Sequence, residues 1–182
     1  MKQTQMWTYI CVIFVTLSQC SACRWLGRYR MVNADSLTLL EKMGGHPGAV
    51  KVRVPGHLYN LIGDAKVEDQ VRFLVLTLDQ IINLMDAKEH MNPEQWKLVE
   101  YFLKDLHRQS SELKECVAQY QKPSHMESYE KKIIRHFRIL KKSLKKEKYS
   151  SHAWEQIRRA VTTHLQRMEI IANNANKSLA RV

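Results

Sequence analysis

The last long stretch of this chain, Ser151 to Leu179, contains neither Gly nor Pro, and its apolar residues step by three or four. Trp154, Ile157, Val161, Leu165, Met168, Ala172 and Ala175 therefore share one face of a helix. Ser150 and Ser151 offer side-chain oxygens to the free amides of its first turn. The other side is polar and partly cationic, with Arg158, Arg159, Thr162, Thr163, Gln166 and Arg167. A helix with so wide an apolar face draws its stability from what packs against it. The chain must supply further amphipathic helices, and four more are legible.

From Cys23 to Met43, residues Trp25, Leu26, Tyr29, Val32, Leu37, Leu40 and Met43 keep helical spacing. Asn33, Asp35 and Ser36 mark a point where this first helix is expected to be interrupted or re-capped. Gly44-Gly45 stops it and Pro47 follows. Residues 46–63, with Gly48, Pro55, Gly56 and Gly63, read as one long extended loop packed along the helices. Val50, Val52 and Val54 alternate like a strand, but Pro55 and the lack of a pairing partner argue against a sheet.

Asp64 is expected to open the second helix, which buries Val67, Val71, Leu74, Leu78, Ile81, Ile82 and Met85. Phe73, Val75 and Leu76 lie off that stripe, so this helix suits a position surrounded by others. Asn92-Pro93-Glu94-Gln95 is a start signal for the third, which runs through Trp96, Val99, Phe102, Leu106, Leu113 and Cys116. Pro123 and Ser124 break the chain, and Ser124 with Glu127 has capping-box spacing. The fourth helix is expected to bury Tyr129, Ile133, Phe137, Leu140 and Leu144, and a short Lys148-Tyr149 turn leads into the last. Short links make the second to fifth helices antiparallel neighbours, while the one long crossover lets the first two point the same way.

The first 22 residues stand outside this scheme. Lys2 gives a positive start, Met6 to Leu17 is mostly apolar, and Cys20-Ser21-Ala22 presents small residues before Cys23. This is the pattern of a secretory signal peptide, too short in its apolar run to span a membrane, so residues 23–182 are expected to form one exported domain. Of the four cysteines, Cys23 and Cys116 then remain. In an oxidising compartment such a pair reads as one disulfide, with two free thiols as the alternative. Without Lys2 the chain keeps 28 Lys and Arg against 18 Asp and Glu, a balance of +10. That charge favours polyanionic surfaces. An exported chain rarely meets nucleic acid, and none is expected as a partner.

Nothing in the sequence points to catalysis, a cofactor or a metal. The eight histidines are scattered without an H-E-x-x-H pattern, and His90, His107, His136 and His164 read as surface or boundary residues. There is no Gly-rich phosphate loop after a strand and no G-x-S-x-G. The strongest polar feature is the outer face of the fourth helix, where Lys131, Arg135, Arg138, Lys142 and Lys145 stand among further lysines. It reads as a solvated face, or as a contact for sulfated glycans or for acidic residues of a receptor; membrane insertion is not expected, because the apolar side has a core to enter. Asn176-Lys177-Ser178 is a glycosylation sequon, so Asn176 is a candidate for modification.

Several stretches resemble type I interferons. Ser36-Leu37-Thr38-Leu39-Leu40-Glu41-Lys42-Met43 is similar to the first-helix segment of that family. His136-Phe137, Leu140, Leu144 and Ala153-Trp154 look like the signature spanning the last two helices. Cys23-x-Trp25-Leu26-Gly27 and Val67-Glu68-Asp69-Gln70-Val71 look like fish members. The chain departs from the signature at Ile139, Ser143 and His152. With no cysteine at 152 a second bridge there is impossible, so the resemblance is to the two-cysteine subgroup, bridged by Cys23 and Cys116.

The resemblance implies a five-helix up-up-down-down cytokine bundle with a long first crossover loop. It implies a secreted, monomeric antiviral cytokine that brings two class II cytokine receptor chains together and signals through Janus kinases and STAT factors. In the family the first loop and the last helix touch one receptor chain and the middle helices the other. Arg158, four residues after Trp154, matches a cationic position of the last helix. Arg159, Thr162 and Gln166 share its face by spacing, and Arg53 is the candidate in the loop. Arg158→Ala is expected to weaken receptor binding with little loss of fold. The rival readings are an interleukin-10-like cytokine and a basic glycan-binding protein.

Overall fold

A computed structural model describes residues 23–44, 52–118, 120 and 127–181. The expected leader (residues 1–22), Gly45, Pro47, Gly48, Val50 and the Pro123-Ser124 break lie outside the described residues. Among the described residues all regular structure is helical. A short 3-10 helix, Arg24–Arg28, runs into α1 (Tyr29–Lys42); α2 (Gly56–Gly63), α3 (Val67–Met85), α4 (Pro93–Val117), α5 (Glu127–Lys146) and α6 (Ser151–Leu179) follow, with a 3-10 turn at Lys88–His90 before α4.

Side-chain caps set two of the starts. Asn92 Oδ1 accepts the Gln95 amide at 2.8 Å, with Pro93 at the first helical position. Ser150 Oγ accepts the Ala153 amide at 3.2 Å and so opens α6. The chain leaves α5 through Lys148 and Tyr149, both with positive φ (50° and 56°), and the Tyr149 amide donates back to the Leu144 carbonyl at 3.0 Å. That left-handed exit ends the helix within two residues and turns the chain back antiparallel. Tyr149 then stacks on His90 with ring centres 3.4 Å apart.

Three local expectations change. The first helix is not interrupted at Asn33–Ser36. Both side chains are fully buried, and Asn33 Nδ2 and Ser36 Oγ find partners across the bundle, so neither has to compete for the backbone of its own helix. Asn33 donates to the Leu165 carbonyl at 3.3 Å and to Glu169 at 3.1 Å, while Ser36 bonds Asp105 and receives Gln109 Nε2 at 2.8 Å. Residues 56–63 are not loop but the helix α2, making six α-helices among the described residues where five were expected. Leu58, Tyr59 and Ile62 share its buried face. The second major helix begins at Val67, not Asp64, because Gln70 Nε2 turns back to the carbonyls of Gly63 (2.8 Å) and Ala65 (3.1 Å) and holds residues 64–66 as a turn.

Cross-helix pairings fix the directions. The Cys23–Cys116 disulfide and the Ser36–Gln109 bond run α1 against α4. Asn33 with Leu165, and Leu40 with Arg158, run α1 against α6. Ser110 with Asp79, and Tyr120 with Arg72, run α3 against the α4 end of the chain. α1 and α3 therefore point one way, α4 and α6 the other, and α5 is the return between them. α1 and α3 sit at opposite corners, each flanked by α4 and α6, and α5 packs outside on α3 and α6.

The core is continuous through these elements. Tyr29, Phe73, Phe102, Leu74, Leu78, Ile81, Leu106, Leu113 and Ile133 are among its largest fully buried side chains, each contributing roughly 1.5–3 kcal/mol by leaving water. Tyr129, Leu140 and Trp154, expected inside, are only half-buried at its margin. No helix among the described residues is long and apolar enough to cross a membrane.

Candidate functional site

The exposed strip of α6 is built around an acid that sequence reading passed over. Glu155 holds two arginines at once. It accepts Arg158 through both oxygens (Nε at 2.8 Å, Nη2 at 2.7 Å) and Arg159 Nε at 2.7 Å. These bonds, Arg158 first, hold the Glu155 carboxyl down at about 2. Glu155 sits at i−3 and i−4 to the two arginines, which is the spacing that brings such groups together on a helix.

Arg158 has a second anchor. Its Nη1 donates to the Leu40 carbonyl at 3.3 Å, one of the free carbonyls at the end of α1. A Cβ on Gly44 would come within 3.0 Å of the Arg158 guanidinium carbon, so the chain leaving α1 passes close over this side chain. Only 18% of the Arg158 side chain and 24% of Arg159 reach solvent. Arg158 is thus a pinned group at the α1–α6 seam. The expectation that Arg158→Ala spares the fold does not fit these contacts.

Thr162 bonds back to the Arg158 carbonyl at 2.9 Å and is half-buried, while Gln166 is exposed. Arg53 is exposed just before α2, where it lines a surface hollow with Leu140, Ser143, Leu144, Gln156 and Ile157. Helical spacing puts Arg158 on the α1 side of the strip and Gln156, beside Arg53, on the α5 side. Arg159, Thr162 and Gln166 fall between them. Ile170, 53% exposed and four residues beyond Gln166, extends the strip with an apolar side chain. Its spacing from Gln166 was the available signal.

The other sites predicted from sequence are separate. Lys131, Arg135, Arg138, Lys142 and Lys145 are all exposed along α5. Asn176 is half-buried inside α6, its Oδ1 lying over Gly27 at 3.7 Å from where a Cβ would stand. His164 is not a surface or boundary residue; it is fully buried. Tyr59 of α2 approaches its Nδ1 at 2.5 Å and His136 of α5 its Nε2 at 3.0 Å. Burial, with His136 adding to it, pulls the His164 imidazole down to about 3, and burial also lowers His136. A neutral imidazole with both nitrogens engaged ties α2, α5 and α6 together. His164 lies three residues after Val161 and four before Met168, on the edge of the apolar stripe.

Comparison with known proteins gives a consistent result. The interferon alpha/beta domain matches residues 27–175. Interferon a3 of Oncorhynchus mykiss is 37% identical over 179 residues, covering 94% of this chain and 98% of that protein. The solved structure of zebrafish interferon 1 superimposes with a TM-score of 0.79 at 61% identity, over 84% of this chain and 99% of the zebrafish chain.

Proposed function

The chain belongs to the interferon alpha/beta family, and from that premise we propose that it is a secreted antiviral cytokine acting as a monomer that draws two class II cytokine receptor chains together. Receptor-associated Janus kinases then phosphorylate STAT factors, which induce antiviral genes. Membership of this family sets the chain among cytokines rather than enzymes, and it displaces the interleukin-10-like alternative.

One receptor chain docks on the α6 strip in this reading, between Arg158 and Arg53. The observation that supports it is the preorganised pair Arg158–Arg159, fixed by one carboxylate beside the exposed Gln166 and Ile170. Charges already held in place lose little freedom when a partner binds, and an apolar residue beside them supplies area that a contact can bury.

Ile170→Asp touches an exposed side chain and should leave unfolding unchanged, yet weaken binding to the purified receptor chain about tenfold or more. Arg158→Ala should weaken binding as well and also lower stability by about 1 kcal/mol, since it removes one of the two arginines on Glu155 and leaves the Leu40 carbonyl unpaired. Binding by calorimetry, with urea unfolding on the same samples, separates the two. Wild-type affinity in Ile170→Asp would remove this strip as the receptor face.

A further inference from the structure

Along α5, Lys131, Arg135, Arg138, Lys142 and Lys145 are all exposed and recur at intervals of four, three, four and three. That spacing keeps them within one narrow stripe about 21 Å long, at 1.5 Å of rise per residue. The stripe is almost uncompensated. Lys131 pairs with Glu127 at 3.4 Å, but among the described residues no carboxylate lies within ion-pair distance of Lys132, Arg135, Arg138, Lys142, Lys145 or Lys146. The arginines of α6, by contrast, share Glu155.

Beside the stripe runs an open groove between α5 and α3. Arg138, Lys141, Lys142 and Lys145 form one wall; Gln80 and Asn83 stand on the other, with Leu84 and Phe137 contributing apolar floor. Lys141 is fixed across it, donating to the Asn83 side-chain oxygen at 2.6 Å and its carbonyl at 3.1 Å. The result is a straight row of cations beside a groove that offers amide donors. Holding this many like charges together costs folding energy through self-repulsion, and the cost is offset when a polyanion lies along them.

We propose that this face binds a linear sulfated glycan, lying along α5 with its sulfates on the stripe and its sugar edge in the α3–α5 groove. The row suits a linear polyanion better than a single phosphate, because its charges are strung along an axis rather than gathered around a point. It stands apart from the Arg158–Arg53 strip, so the proposal does not rest on the receptor reading. A glycan held here would concentrate the cytokine at cell surfaces or in matrix without itself signalling.

The test uses the oxidised chain from Cys23 on immobilised heparin. The variant carries Arg135→Gln, Arg138→Gln, Lys142→Gln and Lys145→Gln; a charge-matched control carries Arg24→Gln, Arg28→Gln, Lys88→Gln and Lys97→Gln, four exposed cations elsewhere. The α5 variant should bind heparin at least about tenfold more weakly, with a log affinity–log salt slope shallower by about three to four, the loss expected when four cations leave a polyelectrolyte contact. The control should change the slope by less than one. Equal losses in both variants would show non-specific charge and overturn the proposal. So would binding to phosphatidylserine vesicles as tight as to heparin, which would mark a membrane contact. Loss of STAT phosphorylation by the α5 variant on cells lacking sulfated glycans would also overturn it, assigning the stripe to a receptor. Equal helicity of all three proteins by circular dichroism shows that each comparison is between folded chains.

Discussion

Replacing both Cys23 and Cys116 by alanine should lower the stability of the folded chain by about 4–5 kcal/mol on the chain-entropy account of cross-links. The bond closes a loop with a sequence separation of 93 residues, so its absence frees a large unfolded ensemble. It also acts locally. Cys23 leads into the 3-10 helix that places Leu26 and Tyr29 in the core, and Cys116 lies in the last turn of α4. Without the bridge this first segment must hold to the bundle by burial alone. Urea unfolding of the double variant and of the parent with and without reductant measures the effect. Reduction should bring the parent down to the variant and leave the variant unmoved. A difference below about 1 kcal/mol would mean that the denatured chain is already constrained near these residues.

Stability should also fall by about 2 kcal/mol as pH drops from 7 to 5, mainly through His164, whose pKa moves from 6.5 in the unfolded chain to about 3 in the folded one. Between those values the unfolded chain takes the proton and the folded chain refuses it. The contribution is therefore complete above pH 6.5 and is lost as pH falls toward 3. His136, lowered by its own burial, pulls in the same direction. Glu155 does not compete in this window, because its depressed pKa draws on stability only below the ordinary carboxylate value of 4.5. Tyr59 faces His164 from α2 and His136 faces it from α5, so a proton on the imidazole strains the joint between both elements and α6. Thermal unfolding of His164→Gln across the same range should keep only the smaller slope that His136 contributes. A parent-like pH slope in that variant would place the titration elsewhere.

Periodicity disclosed the elements that carry their own signals. α6 is one uninterrupted apolar stripe with a serine cap, and α4 opens on Asn-Pro with Gln three residues after the Asn, so both were legible to within a residue of their starts. The disulfide followed from counting cysteines. α2 was hidden because a glycine stands at each end of its eight residues and Pro55 precedes it, punctuation that normally marks a loop. Its apolar face makes sense only once Tyr59 is seen against His164.

Asn33 and Ser36 misled for a related reason. Locally they suggest a break, and only partners more than sixty residues away remove the need for one. The site divided in the same way. Arg158, Arg159, Thr162 and Gln166 do share a helix face, which spacing predicts. That Glu155 pins both arginines, and that Arg158 closes the end of α1, depends on a helix far off in sequence. The spacing of Ile170 from Gln166 puts it on the strip, but it went unnoticed because one apolar residue on a polar face gains weight only once its exposure is known.

The central claim is most directly tested by STAT phosphorylation in fish cells exposed to the purified, oxidised chain from Cys23, with and without blocked receptor. Phosphorylation that rises with dose and disappears when the receptor is blocked is the predicted result. A helical, disulfide-bonded sample that gives no signal across responsive fish cell lines, or a signal that survives receptor block, would contradict it.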